Sequence, residues 1–366
     1  MASVFEAHRP LAEDDIVRAF GQVSLNVAKG VHVTLGNRST GRITVTGWDR
    51  DVISARAVSE RGQEAMIIEH TRSGTERVFL KADYADLGSS DPAGRYLDEP
   101  PMSSDSRPVQ IHLEVNLPRY AAIEPVRVIR SDVQITGIEP QLTILGSRSS
   151  IILKQIGAAD VRTSSGNVEI ENSKGLIQVS TATGAIRVWN ASSGVRAVSI
   201  AGPIELKCVQ GRVDVSNTDA PIDFFNVSGD VDAVAANSSV RFEGELTRQG
   251  RYHLRSMSGR VEMIVPAGST GFSATLSSYR GRVESDFPLK SQISDARKDN
   301  AREGEPEAGW RLSGQFGSPG AQIWLDSFEG LVRLSKKDSP IRSNCKPTDT
   351  SSSQAVSVGD FGSHRL

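Results

Sequence analysis

Three aspartates, Asp214, Asp230 and Asp232, are the side chains best placed to act on a ligand, because Asp214 and Asp232 lie eighteen residues apart with Asp230 close by. Arg196 precedes Asp214 by the same interval. If eighteen residues complete one turn of a coil, these groups share an outer face, where hard carboxylate oxygens suit Ca2+ and a guanidinium can receive an acidic sugar. That is the equipment of a polysaccharide lyase. The plainer account is that outward positions of a solvated strand must be polar, and among 44 acidic residues some align by chance. The expectation is therefore no catalytic residue, no metal and no cofactor, with Asp214, Asp230 and Asp232 as the metal candidates.

Exposed tryptophans are the other ligand candidates, since an indole on a flat sheet can stack on a sugar ring or anchor a protein. Trp324 alternates between Ile323 and Leu325 and should point outward. Trp189 follows the inward Val188 at a corner, where an indole more often covers the edge of the core. Trp48 should plug the start of the coil. No Gly-x-Ser-x-Gly elbow or phosphate loop occurs, and the six histidines show no ligand spacing. Two cysteines, Cys208 in the repeat and Cys345 in the tail, are too few for a disulfide framework or a thiolate metal site. Cys208 reads as a small ladder or core residue, and the redox compartment stays unread.

What must position these residues follows from composition and period. Gly 33, abundant Ser, Thr, Val and Ile, and only 5% aromatics favour many short strands over long helices. A net charge of −2 with basic residues scattered among acidic ones offers no footprint for nucleic acid. No apolar run is long enough to span a membrane as a helix, and residues 1–10 lack the apolar segment of a secretory signal.

The centre of the chain repeats every nine residues. Ala159, Val168, Ile177, Ile186, Val195, Ile204, Val213, Ile222, Val231 and Val240 form one column. Two residues further on, Val161, Ile170, Val179, Val188, Ala197, Leu206, Val215, Phe224, Ala233 and Phe242 form a second. At 38% apolar composition, twenty such hits have a chance probability on the order of 10⁻⁸. Two residues before each first-column position stands Gly, Ser or Ala. A small residue at a turn followed by an apolar-polar-apolar triplet is a short strand with one inward face. A nine-residue unit cannot bury that face alone, so units must stack into a parallel β-solenoid.

Two units per coil bring residues eighteen apart into register. The outward column Glu169, Arg187, Glu205, Asp223, Arg241 then pairs opposite charges at three of four contacts, and Asn172, Asn190, Cys208 and Asn226 align as an amide ladder. Upstream, Val133/Ile135, Leu142/Ile144 and Ile151/Leu153 keep the period one residue out of phase, which a shorter turn near Gly157 would produce. Downstream units at Val261, Val283, Ile323 and Val332 imply coils of unequal length.

The organisation expected is a flexible segment over 1–19, one all-β solenoid domain over 20–335 and a disordered tail over 336–366. Polar stretches 83–108 and 291–309 read as inserted loops, and Met66–Glu69 with Val78–Lys81, joined at Ser73-Gly74, read as an N-terminal β-hairpin beside the coil.

Gly41-Arg-Ile-Thr-Val-Thr-Gly47-Trp48-Asp49, Leu113-Glu-Val-Asn-Leu117-Pro118 and units such as Ser165-Gly166-Asn167-Val168 resemble the bacterial "putative adhesin" family, β-solenoid domains of unknown function. The resemblance covers residues 20–335 and implies an exported or cell-envelope protein with no catalytic residues to carry over. This chain departs from the family in showing no export signal. The function expected is a non-enzymatic, adhesin-like surface for polysaccharide or protein. The alternatives are a cytoplasmic structural polymer like the bactofilins, whose terminal coils would be uncapped, and a polysaccharide lyase-type β-helix.

Overall fold

The computed structural model describes residues 16–37, 40–59, 66–71, 77–84, 110–269, 271–291, 309–338 and 345. They form a parallel β-solenoid built of a 12-stranded and a 14-stranded sheet, with a five-stranded sheet at the N-terminal end. Consecutive units alternate between the two long sheets, so residues eighteen apart are hydrogen-bonded neighbours: Val168 pairs with Ile186, Ile186 with Ile204, and Val195 with Val213. All twenty residues of the two apolar columns are buried, none more than 4% exposed, in one continuous core. The phase slip lies where the sequence places it, because Leu142 pairs with Ala159 and Ile151 with Val168 at a spacing of seventeen.

Two kinds of corner join the sheets. Leaving the 14-stranded sheet, Gln155, Asn172, Asn190, Cys208 and Asn226 adopt left-handed backbone, with φ between 51° and 59°. This bend turns the following residue inward again, and Ser173, Ala191, Val209 and Val227 are all buried. Asn tolerates this conformation best among residues with a Cβ, and the Asn190 amide also donates to Asn172 Oδ1 at 3.0 Å.

Leaving the 12-stranded sheet, a buried hydroxyl accepts a hydrogen bond from the backbone N–H three residues on. Ser199 serves Gly202, Ser256 serves Gly259, Ser278 serves Gly281 and Ser327 serves Gly330. The glycines at this corner are set by crowding between coils as well as by φ. Gly184 has φ +122°, but Gly202 has no positive φ, and a Cβ there would sit 1.6 Å from the Gly184 carbonyl oxygen.

The ends depart from simple stacking. At the N-terminus, Arg42–Trp48 lies parallel beside the strand containing Val133, and antiparallel strands Val52–Ser59 and Gln22–Asn26 follow outward from Ile111–Pro118. Met66–Thr71 and Arg77–Tyr84 form the expected antiparallel hairpin; its turn lies outside the described residues. Strand Ile16–Phe20 pairs with that hairpin, so regular structure starts ahead of the expected boundary. Trp48 does not plug the coil. It is half-buried at a strand end, where its indole N–H donates to the Val52 carbonyl at 2.7 Å and ties down the turn.

At the C-terminal end the chain breaks its own order. Ala321–Ser327 inserts between Arg251–Ser256 and Phe272–Ser278, and Val332–Lys337 inserts between Val261–Pro266 and Val283–Ser285. The last coil in sequence is thus the penultimate coil in space. Beyond it, Trp310–Phe316 runs antiparallel to Phe272–Ser278, and Phe272, Phe287 and Phe316 pack with ring centroids 4.9–5.4 Å apart over the end of the core. The expected loops 83–108 and 291–309 fall almost wholly outside the described residues, as does the tail apart from 336–338 and Cys345.

The cysteines require a correction. Cys208 and Cys345 form a disulfide, with Cα atoms 5.4 Å apart. Cys208 occupies the ladder position expected of it, but as the anchor of the C-terminal segment rather than as an isolated small residue.

Candidate functional site

The outward columns of the two long sheets differ in kind. On the 14-stranded sheet, Glu169, Arg187, Glu205, Asp223, Arg241, Glu262, Arg333 and Glu284 stack in register and nearly alternate in sign. Arg187 lies 3.3 Å from Glu169 and 3.9 Å from Glu205, and Arg241 lies 4.0 Å from Glu262. That face pairs most of its own charges, although Arg241 Nε is buried without a hydrogen-bond partner. One member is strained: burial pushes the Asp223 carboxyl above its ordinary range, Arg241 pulls it back, and Glu205 pushes it further up.

The 12-stranded sheet presents a different column: Arg196, Asp214, Asp232, His253 and Trp324. The alignment of Arg196, Asp214 and Asp232 is the one the eighteen-residue coil predicts. Beside it, Arg212, Asp230 and Arg251 stand at the corner one residue ahead of the inward Val213, Val231 and Tyr252. All of these side chains except Arg196 line a cleft of about 350 Å³ that opens to solvent on the sheet. All three predicted aspartates and Trp324 therefore meet. Trp189 does not: it projects from the opposite sheet, paired with Glu171 and Lys207, within a strand and immediately before the left-handed Asn190.

Each carboxylate is held by arginine. Arg212 forks onto Asp214 through Nε and Nη2 at 3.1–3.2 Å, with Arg196 3.6 Å from the same carboxylate. Arg251 reaches Asp230 Oδ2 through Nη2 at 2.6 Å and Nε at 3.1 Å, and its backbone N–H donates to Oδ1 at 3.0 Å. Arg255 donates to Asp232 at 3.1 Å. The Arg251 contacts hold Asp230 below the ordinary carboxylate range, so it stays ionised at neutral pH and is a poor general acid. Among the described residues no group of three or more His, Cys, Asp and Glu side chains converges on a metal position. Asp214, Asp230 and Asp232 each turn toward an arginine.

Trp324 is fixed from the side. Its ring meets His253 edge to face at 6.3 Å between centroids, and His253 Nε2 lies 3.3 Å from Asp326, which also accepts from the Ser277 hydroxyl. Trp324 keeps 36% of its surface exposed and is positioned without being covered. The charge pattern singled out none of Arg212, Arg251, Arg255, His253 or Asp326. The two arginines 212 and 255 had a usable signal, since each flanks a predicted outward residue on the same strand or the next. His253 had none, because its neighbour Trp324 is 71 positions away across the inserted coil.

Among the described residues no helix is long and apolar enough to cross a membrane. No family model matches the chain, and no curated protein matches it. Among solved structures, a chain described as a "putative cell adhesion protein" from Clostridium sporogenes aligns over 88% of this chain and 100% of its own length, at 11% identity and a TM-score of 0.22.

Proposed function

We propose that this protein is a non-enzymatic, extracytoplasmic solenoid of the adhesin-like type, presenting the face of its 12-stranded sheet to a polysaccharide or protein at a cell envelope. One observation carries the reading: the cleft combines an exposed, laterally fixed indole with guanidinium groups whose positions are set by buried-side carboxylates. Rigid aromatic and arginine side chains held in place before binding lose little entropy when a ligand arrives.

Three further features support it. The Cys208–Cys345 bond suits an oxidising compartment, since disulfides rarely persist in a reducing cytoplasm. The carboxylates of the cleft are committed to arginines, which leaves them poorly suited to proton transfer. The antiparallel strands and phenylalanine cluster at the C-terminal end interrupt the parallel ladder that endwise polymerisation would extend.

The test is fractionation of the native host with an antibody, combined with alkylation of free thiols. Recovery from the envelope with both thiols blocked supports the reading. A cytoplasmic pool carrying two free thiols, or one that sediments as filaments, would replace it with the polymer reading.

A further inference from the structure

Resting on that reading of the cleft, we infer that its ligand is a chain of acidic sugars, whose carboxylate is received by Arg212 and Arg251 while a ring lies against Trp324. The inference starts from which groups face solvent. At two of the three carboxylates the arginine is the outer layer: Arg212 is 70% exposed and Arg251 63%, whereas their partners Asp214 and Asp230 are 27% and 33% exposed, while Asp232 and Arg255 are exposed alike. At those two positions a ligand meets guanidinium before it meets carboxylate. This order argues against a cation and in favour of an anion.

Donor arithmetic supports the same sign. A guanidinium carries five N–H donors in a planar fork. Arg212 and Arg251 each direct Nε and Nη2 to an aspartate, and among the described residues neither commits its Nη1 group to a protein acceptor. The free edge is the geometry that takes a carboxylate in two parallel hydrogen bonds. The aspartates act as supports that hold each fork in place, so little side-chain entropy is lost on binding.

The amount of charge then separates a sparse anion from a dense one. Arg196, Arg212, Arg251 and Arg255 are balanced by Asp214, Asp230, Asp232 and the Asp326 beside His253, so this patch carries no net charge from these groups. A phosphodiester chain needs many uncompensated cations along its path. An acidic sugar chain carries fewer charges, each of which the open edge of a paired guanidinium can take, and its ring offers the C–H face that an indole covers. Trp324 lies on the strand beside that of Arg251, whose register partner is Gln322, about 5 Å away across the sheet. An extended ligand running along the solenoid axis can touch both.

The experiment uses the full, oxidised chain and isothermal titration calorimetry. The probes are galacturonate, mannuronate and glucuronate oligosaccharides, the carboxyl-reduced form of each, and a single-stranded oligonucleotide of matched charge. At least one uronate should bind, and its reduced form should bind about tenfold more weakly, the loss of one charge-assisted fork. The Arg212→Gln/Arg251→Gln pair should erase that preference, Arg251→Lys should keep the charge but lose most of it, and Trp324→Ala should weaken both acidic and neutral forms. Unchanged circular dichroism and melting would show that the variants fold. Equal binding of acidic and reduced sugars, insensitive to the arginine changes, would overturn the acidic-sugar inference while leaving a glycan-binding face intact. Tighter binding of the oligonucleotide would overturn it in favour of a phosphate polymer. Failure of every saccharide would overturn both the inference and the polysaccharide half of the reading on which it rests.

Discussion

Cys208 and Cys345 stand 137 positions apart in sequence and 5.4 Å apart at their Cα atoms. Between them lies the coil that breaks chain order, Ala321–Ser327 with Val332–Lys337. Four strand steps along the 14-stranded sheet separate Val332–Lys337 from Ile204–Val209, roughly 19 Å at the usual spacing. The chain from Lys337 to Cys345 can reach about 27 Å, so the bond closes without displacing a strand. It secures a coil whose place in the sheets does not follow from its place in the sequence.

Breaking that bond should destabilise the C-terminal coils selectively. Closing a loop of this length removes unfolded-state entropy equivalent to about 5 kcal/mol, an upper figure because strain and residual structure reduce it. Cys345→Ser is therefore expected to lower the denaturation midpoint, and reductant should do the same to the native chain and nothing to the variant. Hydrogen exchange should quicken in Ala321–Ser327 and Val332–Lys337 while Ile111–Pro118 is unchanged. Uniform acceleration along the chain would mean the bond acts globally instead.

The left-handed ladder gives a second test. Asn190 has φ +56°, a conformation that a β-branched side chain avoids. Asn190→Val should cost about 2 kcal/mol, whereas Asn190→Gly, which loses only the hydrogen bond to Asn172, should cost under about 1 kcal/mol. Chemical denaturation of the two variants decides it. A glycine variant as unstable as the valine one would place the cost in the lost amide contact rather than in the backbone.

These positions also mark how far the sequence alone reaches. Nine-residue spacing gives strand positions, inward faces and the eighteen-residue register from Ala159 to Phe242, because each inward residue must stack on another apolar residue and each outward one need only be polar. The same alternation of inward and outward positions puts Asp214, Asp232 and Trp324 on the outer face. It missed the pairing of His253 with Trp324 and the insertion of the last coil, since periodicity locates a strand without saying which neighbour it takes. It also missed the disulfide: a ladder position asks only for a small residue that bends the chain, and Cys208 meets that need with or without a partner.

Asp223 gives a pH-dependent prediction. Burial holds its carboxyl above the unfolded value of 3.8, so the folded chain keeps this proton more tightly than the unfolded one. Stability from that proton is present below the unfolded value and is lost as pH rises through the folded one. Asp223→Asn should then raise stability at neutral pH by about 0.5–1 kcal/mol, with the gain shrinking as pH falls toward 4. Thermal melts of both chains across that range are the measurement. A loss of stability at neutral pH would mean that attraction to Arg241 outweighs desolvation.

Inward and outward columns can be set against each other directly. Ile204 is fully buried, stacked between Ile186 and Ile222, and an aspartate there would have neither partner nor water. Ile204→Asp should cost about 4 kcal/mol or more and unfold the central coils under mild denaturant. Arg187 bridges Glu169 and Glu205 on the surface, with 37% of its side chain exposed. Exposed pairs contribute little once solvent screening and side-chain entropy are counted, so Arg187→Ala should cost under about 1 kcal/mol. If the two variants melted alike, the charge ladder would hold the coil as strongly as its core. Increasing salt would then lower the melting temperature of the native chain, because screened ion pairs weaken and buried apolar stacking does not.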